Sequence, residues 1–575
     1  MKQLLLLLNV LIAVPAITQE IRPVSFEDRT TTTYISKRKP PVLHLQLLNA
    51  PEKEADVTYT LVTFDPGFQK PQNTRLNRNG EAVIVLEHPL PFQQIWLAVK
   101  NYLYAGIYVN TDLTVTIDAA RLKGKEAYMI ADGITYTGTD GELNRVMNEK
   151  VIFKQEERNQ LHSLLVDLSI KKANANRNTQ HLDSLNAHYE TTADSIYRKL
   201  DAMNNSFLEK HPRFGWAVRN ETASGFYEWL ITGYSGTAIP EKYLEKIRHH
   251  RPYFTSNDGL LFYRSLSRYY AFKESAGEPD MIEVLYKNRA NYNTVKKQLL
   301  DSLMYYKKQD TGDGRNAVVV KTLNKRMREL FGSEITRINV DNYISRIEKY
   351  NDPVRADILK IFLLELGKDE FAVTYPQILD AVRTGWCKAL IREELAAATQ
   401  KQQDINAVLA KASRLEDREA YIGRPLATLP FGASLYRLDS IRNAEDFIAN
   451  LKSRFKDKAI IIDFWATWCG PCIADMPYSK KLHAANRELP VEYVYLCTSA
   501  SSSEKLWKDR LVSLEIPGTH IYMDDIVVNK LKSAFNAGGG FPAYVVIDIN
   551  GKSHPDRISY MQQLDGDKLK DVTGL

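Results

Sequence analysis

Two cysteines separated by two residues can do what an isolated cysteine cannot, and this chain carries such a pair in Trp468-Cys469-Gly470-Pro471-Cys472. A thiolate at the first can attack a disulfide to give a mixed disulfide. The second, one helical turn on, lies close enough to attack back and release the reduced partner. The run Ala459-Ile460-Ile461-Ile462-Asp463-Phe464-Trp465 precedes the pair, so β-branched and apolar residues give way to small and polar ones and then to the cysteines. That succession predicts a buried strand handing over to a helix, with the cysteines at the helix start. Unpaired N–H groups and roughly half a positive charge at a helix start favour thiolate over thiol. Cys469 is the expected nucleophile and Cys472 the resolver.

Two other uses of the pair compete with redox catalysis. A zinc site needs two further ligands of suitable spacing, and the remaining cysteines, Cys387 and Cys497, stand singly in a predicted helix and a predicted strand. A purely structural disulfide is the second alternative, although four cysteines in 575 residues exclude a disulfide-stapled scaffold. Cys387 lies beside the helical stripe Val382, Trp386, Ala389, Leu390, and Cys497 ends a strand, so both read as small core residues.

The cysteine segment resembles the thioredoxin superfamily. Its flank Cys472-Ile473-Ala474-Asp475-Met476-Pro477 is similar to the exported TlpA/ResA-like branch, which usually has Glu where this chain has Asp475. The shorter acid keeps the charge and reduces the reach. Far along the chain, Gly538-Gly539-Gly540-Phe541-Pro542 leads into Ala543-Tyr544-Val545-Val546-Ile547, the place where the family has a cis-proline packed beside the disulfide. The resemblance spans residues 420–575 and implies a thioredoxin-like α/β fold there. It also implies that Asp463, six residues before Cys469, is the family's buried acid. Apolar surroundings raise such a group's pKa and let it take the resolving thiol's proton through water; a partly solvated Asp ending a strand is the plainer alternative. Trp468 is expected to shield the disulfide, Trp465 to pack, and Pro542 to present a free backbone edge to the substrate while keeping metal from the thiols. Phe541 is bulkier than in many relatives and implies a different substrate choice.

Gly470-Pro471 matches the dipeptide of reducing thioredoxins, so the implied direction is reduction of exported protein disulfides, with cytochrome c apoproteins awaiting haem among the candidates. The resemblance further implies a membrane thiol transporter of the DsbD or CcdA type as electron donor, with neither organic cofactor nor metal. Two rivals stand beside this expectation: a disulfide oxidase or isomerase, and a binding or assembly protein whose thioredoxin-like domain docks a partner.

The elements that must position the pair sit in a long, multidomain chain. Met1-Lys2 followed by an apolar run from Leu4 to Val14 and then small residues is expected to be a signal peptide, residues 1–19, delivering the protein to the periplasm or cell envelope with at most a loose membrane association. Residues 20–140 show short alternating runs such as Val42–Leu48, Val57–Val62, Ala82–Leu86, Ile95–Val99 and Leu113–Ile117, predicting an all-β antiparallel sandwich or barrel. Residues 141–419 turn helical: Leu182, Leu185, Tyr189, Ala193, Ile196, Leu200, Met203 and Phe207 step by three or four, and Asp352-Pro353 opens a helix expected to stop at Gly367. Tyr421–Pro425 then reads as a break before the last domain, in which Pro477 is expected to interrupt the active-site helix. Lys and Arg number 76 against 70 Asp and Glu, and the net +6 is spread without a basic block interleaved with aromatics, so no nucleic-acid groove is expected. The 31 tyrosines are scattered, which suits a core and surface role better than a carbohydrate platform.

Overall fold

The computed structural model describes the chain from Ser25 onward except residues 29–34, 36–37, 65–66, 68, 88–89, 125–126, 177–181, 274–279, 310–316 and 416–419. The expected signal peptide lies outside the described residues. Among the described residues no helix is long and apolar enough to cross a membrane. The chain divides into two compact units, Met1–Leu395 and Ala396–Leu575.

Among the described residues the first unit opens with eight strands: β1 (Val42–Leu48), β2 (Asp56–Val62), β3 (Gln69–Arg75), β4 (Glu81–Val85), β5 (Gln93–Val99), β6 (Leu103–Val109), β7 (Asp112–Asp118) and β8 (Ile134–Thr137). They form two four-stranded sheets, ordered β4-β1-β7-β8 and β3-β2-β5-β6. Alternate residues of both, among them Leu43, Leu45, Leu47, Val57, Ile95, Leu97, Ile107 and Val115, share one apolar core. The all-antiparallel expectation is corrected at one ladder, since β1 and β7 pair in parallel. A parallel partner needs a long connection, and the hairpins that fill the interval between these two strands hide the pairing from local patterning.

Helices from Gly141 to the region of Gly385 follow. Asp140 anchors the first of them to the sheet: its Oδ2 accepts backbone N–H bonds from Asn110 (2.7 Å), Thr111 (2.6 Å) and Asp112 (3.1 Å). A second clamp holds the chain's first described residues. Phe26 is fully buried against Phe64, with ring centroids 5.2 Å apart, and Glu27 takes Arg355 at 2.7 Å and Arg251 at 2.7 Å. Burial raises the Glu27 pKa, and the Arg355 charge offsets part of that rise. The helix opened by Asp352-Pro353 ends earlier than its apolar run suggests, at Ile361, and a separate short helix covers Leu363–Gly367.

Among its described residues the second unit has seven strands: β9 (Arg424–Thr428), β10 (Ala433–Leu438), β11 (Ala459–Trp465), β12 (Val491–Thr498), β13 (Gly518–Met523), β14 (Ala543–Ile547) and β15 (Ser553–His554). Their order is β15-β14-β11-β12-β13-β10-β9. β11 is parallel to β12, β12 to β13 and β13 to β10, while β14 runs antiparallel to β11. Every residue of β11 is buried, as expected of a central strand covered on both faces. The break expected at Tyr421–Pro425 stands at residues 421–423, and the edge strand β9 already begins at Arg424. Pro425 is tolerated there because an edge strand can do without one N–H, and a register shift at Leu435/Tyr436 accommodates it.

Period-two alternation sorts this sheet into two faces. Ile460, Ile462 and Phe464 of β11, with Val494 and Leu496 of β12, face one core. Ala459, Ile461 and Trp465, with Tyr493, Tyr495 and Cys497 of β12 and Tyr544 and Val546 of β14, face the other core, which holds Cys469, Cys472 and Met476. Asp463 falls on this second face by the same alternation.

Candidate active site

The chain leaves β11 at Trp465, and the helix Gly470–Ala485 begins five residues on with Cys469 as its cap. The Cys469 sulfur accepts the Cys472 N–H at 3.2 Å, and Pro471 occupies the first turn, where its missing N–H costs nothing. The helix runs through Pro477 without the expected interruption. Cys472, Asp475, Met476, Ser479 and Leu482 are all buried at three- and four-residue spacing, and burial of that whole face outweighs the one backbone bond that the proline removes.

Cys469 and Cys472 are joined in a disulfide, with Cα atoms 5.3 Å apart. Cys472 is fully buried and Cys469 is 4% exposed, so attack from outside can reach only the first sulfur. Around it stands an apolar rim. Trp468 is 55% exposed, its indole N–H donates to the Ala500 carbonyl at 2.7 Å, and its ring meets Phe541 edge-on at 5.9 Å. The Phe541–Pro542 peptide bond is cis, and both residues are half-buried. Gly470 has open space where a Cβ would stand.

Two carboxylates lie beneath. Asp463 is 2% exposed, and its Oδ1 finds no hydrogen-bond partner among the described residues. Burial, with the Asp475 charge second, holds its pKa well above the usual carboxylate range. Asp475 is equally buried yet well bonded: its Oδ2 accepts the Tyr544 hydroxyl (2.6 Å) and the Met561 N–H (2.6 Å), and its Oδ1 the Gln562 N–H (3.1 Å). Tyr544 sits opposite Asp463 in the β11–β14 ladder, so one side chain borders both acids. Sequence reasoning missed Tyr544, although a tyrosine on the inward phase of a strand just after Pro542 was the available signal.

Cys497 shares this face, fully buried, with its thiol pKa pushed up by burial; Cys387, in the first unit, is equally buried and shifted the same way. Neither has the exposure of a reactive thiol. His520 on β13 stacks on Tyr495 at 4.5 Å, its Nε2 lies 2.9 Å from the Ile516 carbonyl oxygen, and burial lowers its pKa to about 3. An unfolded histidine titrates near 6.5, so this contribution to stability is complete above that pH and is lost as pH falls from there toward 3. Between pH 7 and pH 5 the loss should be about 2 kcal/mol. Thermal unfolding of His520→Phe should show a correspondingly flatter acid limb, and an unchanged limb would refute the assignment.

Residues 448–573 match the family model described as Redoxin. Over 59 residues the chain is 39% identical to the thiol-disulfide oxidoreductase ResA of Oceanobacillus iheyensis, covering 10% of this chain and 31% of that protein. It is 37% identical over 59 residues to the mitochondrial thioredoxin-3 of Saccharomyces cerevisiae, covering 10% of this chain and 44% of the relative. A solved thioredoxin domain of a thiol-disulfide oxidoreductase from Bacteroides vulgatus aligns with TM-score 0.18 and 22% identity, over 21% of this chain and 81% of that one. The carboxy-terminal part of the chain is a thioredoxin-like domain of the thioredoxin superfamily, with a Cys-X-X-Cys pair at its helix start. The chain spans less than half the length of these two curated relatives.

Proposed function

We propose that the protein is an exported thiol–disulfide oxidoreductase that reduces protein disulfides through Cys469 and Cys472. The observation that carries this is the asymmetry of the pair: Cys469 caps the helix at the edge of solvent while Cys472 is sealed beneath it. In the reduced enzyme, the Cys469 thiolate attacks one sulfur of the substrate, forming a mixed disulfide and expelling the other sulfur as thiolate. Cys472 gives up its proton, with Asp463 as acceptor, and attacks the Cys469 sulfur. The enzyme disulfide forms, the second substrate thiolate leaves, and two electrons have passed to the substrate. Pro542 is assigned to line the substrate chain, and Asp475 holds the underside of the helix through Tyr544, Met561 and Gln562.

Gly470-Pro471 supports the reductive direction. A dithiol donor must then restore the pair, and a membrane thiol transporter of the DsbD or CcdA type suits a periplasmic or envelope location. Exported proteins, cytochrome c apoproteins among them, are the substrates of this proposal, and the dithiol needs no further cofactor. The test is an equilibrium titration of the pair in the mature protein against dithiothreitol or glutathione buffers, read by mass spectrometry after thiol trapping. A midpoint nearer the thioredoxin value of about −270 mV than the DsbA value of about −120 mV is expected. An oxidising midpoint would transfer the assignment to a disulfide oxidase or isomerase, and a pair that does not cycle would leave a docking module.

A further inference from the structure

Lys532 lies in the helix Asp525–Ala534, on the stripe formed by Val528, Leu531 and Phe535, and is only 5% exposed. A lysine on an apolar stripe is costly to bury unless its ammonium is occupied. Here the ammonium donates to the Gly540 carbonyl and sits 4.4 Å from the centroid of the Phe541 ring. Burial lowers its pKa, while the carbonyl and the ring favour the charged form.

The segment it grips needs an external hold. Gly538, Gly539 and Gly540 are exposed, and a Cβ on any of them would meet nothing within 4 Å. Three successive glycines lose much backbone freedom on ordering, and these make no close packing in return. The hold is passed on: Phe541 meets the Trp468 ring at 5.9 Å, and Trp468 is tied to the Ala500 carbonyl at 2.7 Å. Lys532 thus stands at one end of a chain of contacts whose other end flanks the disulfide.

We propose that Lys532 is a positioning residue that sets the Gly540-Phe541-Pro542 edge and the Trp468 ring as one surface for an extended polypeptide, and so biases the Cys469–Cys472 pair toward disulfides in protein chains over small disulfides. This rests on the oxidoreductase function proposed above. A polypeptide can use a fixed backbone edge and an apolar rim; a small disulfide needs only the exposed sulfur.

The test compares full-length wild type with Lys532→Met, which keeps the aliphatic bulk, and Lys532→Arg, which keeps a cation and donors. Each is assayed on insulin and on 5,5′-dithiobis(2-nitrobenzoate) with dithiothreitol as terminal reductant. The ratio of kcat/KM for insulin to that for the small disulfide should fall about tenfold in Lys532→Met, the scale of one lost charge-assisted hydrogen bond, and recover in Lys532→Arg. Hydrogen exchange of the peptide spanning 536–542 should accelerate in Lys532→Met in parallel. A ratio within twofold of wild type, or a fall that Lys532→Arg does not recover, overturns the proposal. Wild type inactive on both disulfides would defeat the oxidoreductase function itself, and unchanged exchange of that peptide would then independently overturn the role of Lys532.

Discussion

Cys469→Ser is expected to abolish disulfide turnover, by at least about 10⁴-fold, the scale on which removing a covalent nucleophile acts. Cys472→Ser is expected to fail differently. Its Cys469 still attacks, but the mixed disulfide has no internal resolver and accumulates as an adduct heavier than the enzyme by the part of the substrate joined to the attacked sulfur, which is the whole substrate when its disulfide is intramolecular. The difference follows from burial: Cys472 is sealed under the helix start and Cys469 alone reaches the edge of solvent. Intact-mass spectrometry after one turnover with a peptide disulfide distinguishes the two variants. If Cys472→Ser forms no adduct, or if the adduct maps to Cys497, the assignment of roles is wrong. The Cys497 outcome is disfavoured because that thiol is fully buried and its pKa is raised by burial.

What could be read from sequence was local. The passage from Ala459–Trp465 to the helix at Gly470 is written in contiguous residues, so strand, cap and first turn stand where the sequence places them. The β-to-helical change after residue 140 was equally legible, because each period is carried by many residues. Features that depend on partners distant in sequence were not. Polar, largely exposed β3 has no alternation to betray it and is a strand because β2 pairs with it. β13 is six residues long and fits between two helices, and Pro517-Gly518 at its start was the one local signal for it. The parallel β1–β7 ladder and the uninterrupted helix at Pro477 both come from tertiary burial overriding a local rule. At the site, Cys469 and Cys472 carry their own chemistry, whereas Tyr544 and Lys532 acquire theirs from the groups that the fold sets against them.

Asp463→Asn should separate a proton acceptor from a buried structural acid, because stability rises in either role and only the loss of an acceptor slows the resolving step. Asp463 faces the active-site helix, lacks a partner at Oδ1, and has a pKa raised first by burial and then by Asp475. An acid raised in the folded state is destabilising at pH values above its unfolded pKa of about 3.9, and the penalty grows until pH passes the folded pKa. The neutral amide removes that penalty, so the variant should be more stable above pH 4, gaining about 1.4 kcal/mol for each unit of the shift that the pH has crossed. Its resolving step should nevertheless slow by about 10²-fold at pH 7, the lower range for loss of a general base. That deficit should shrink as pH rises and the Cys472 thiol ionises without help. Stopped-flow release of the second substrate thiol from pH 6 to 9, with thermal unfolding over the same range, measures both. Greater stability with an undiminished rate would make Asp463 a structural acid and leave the proton of Cys472 to water. Slower release with the predicted pH recovery would assign the proton to Asp463 and explain why an unpaired carboxyl is kept beneath the disulfide at the expense of stability.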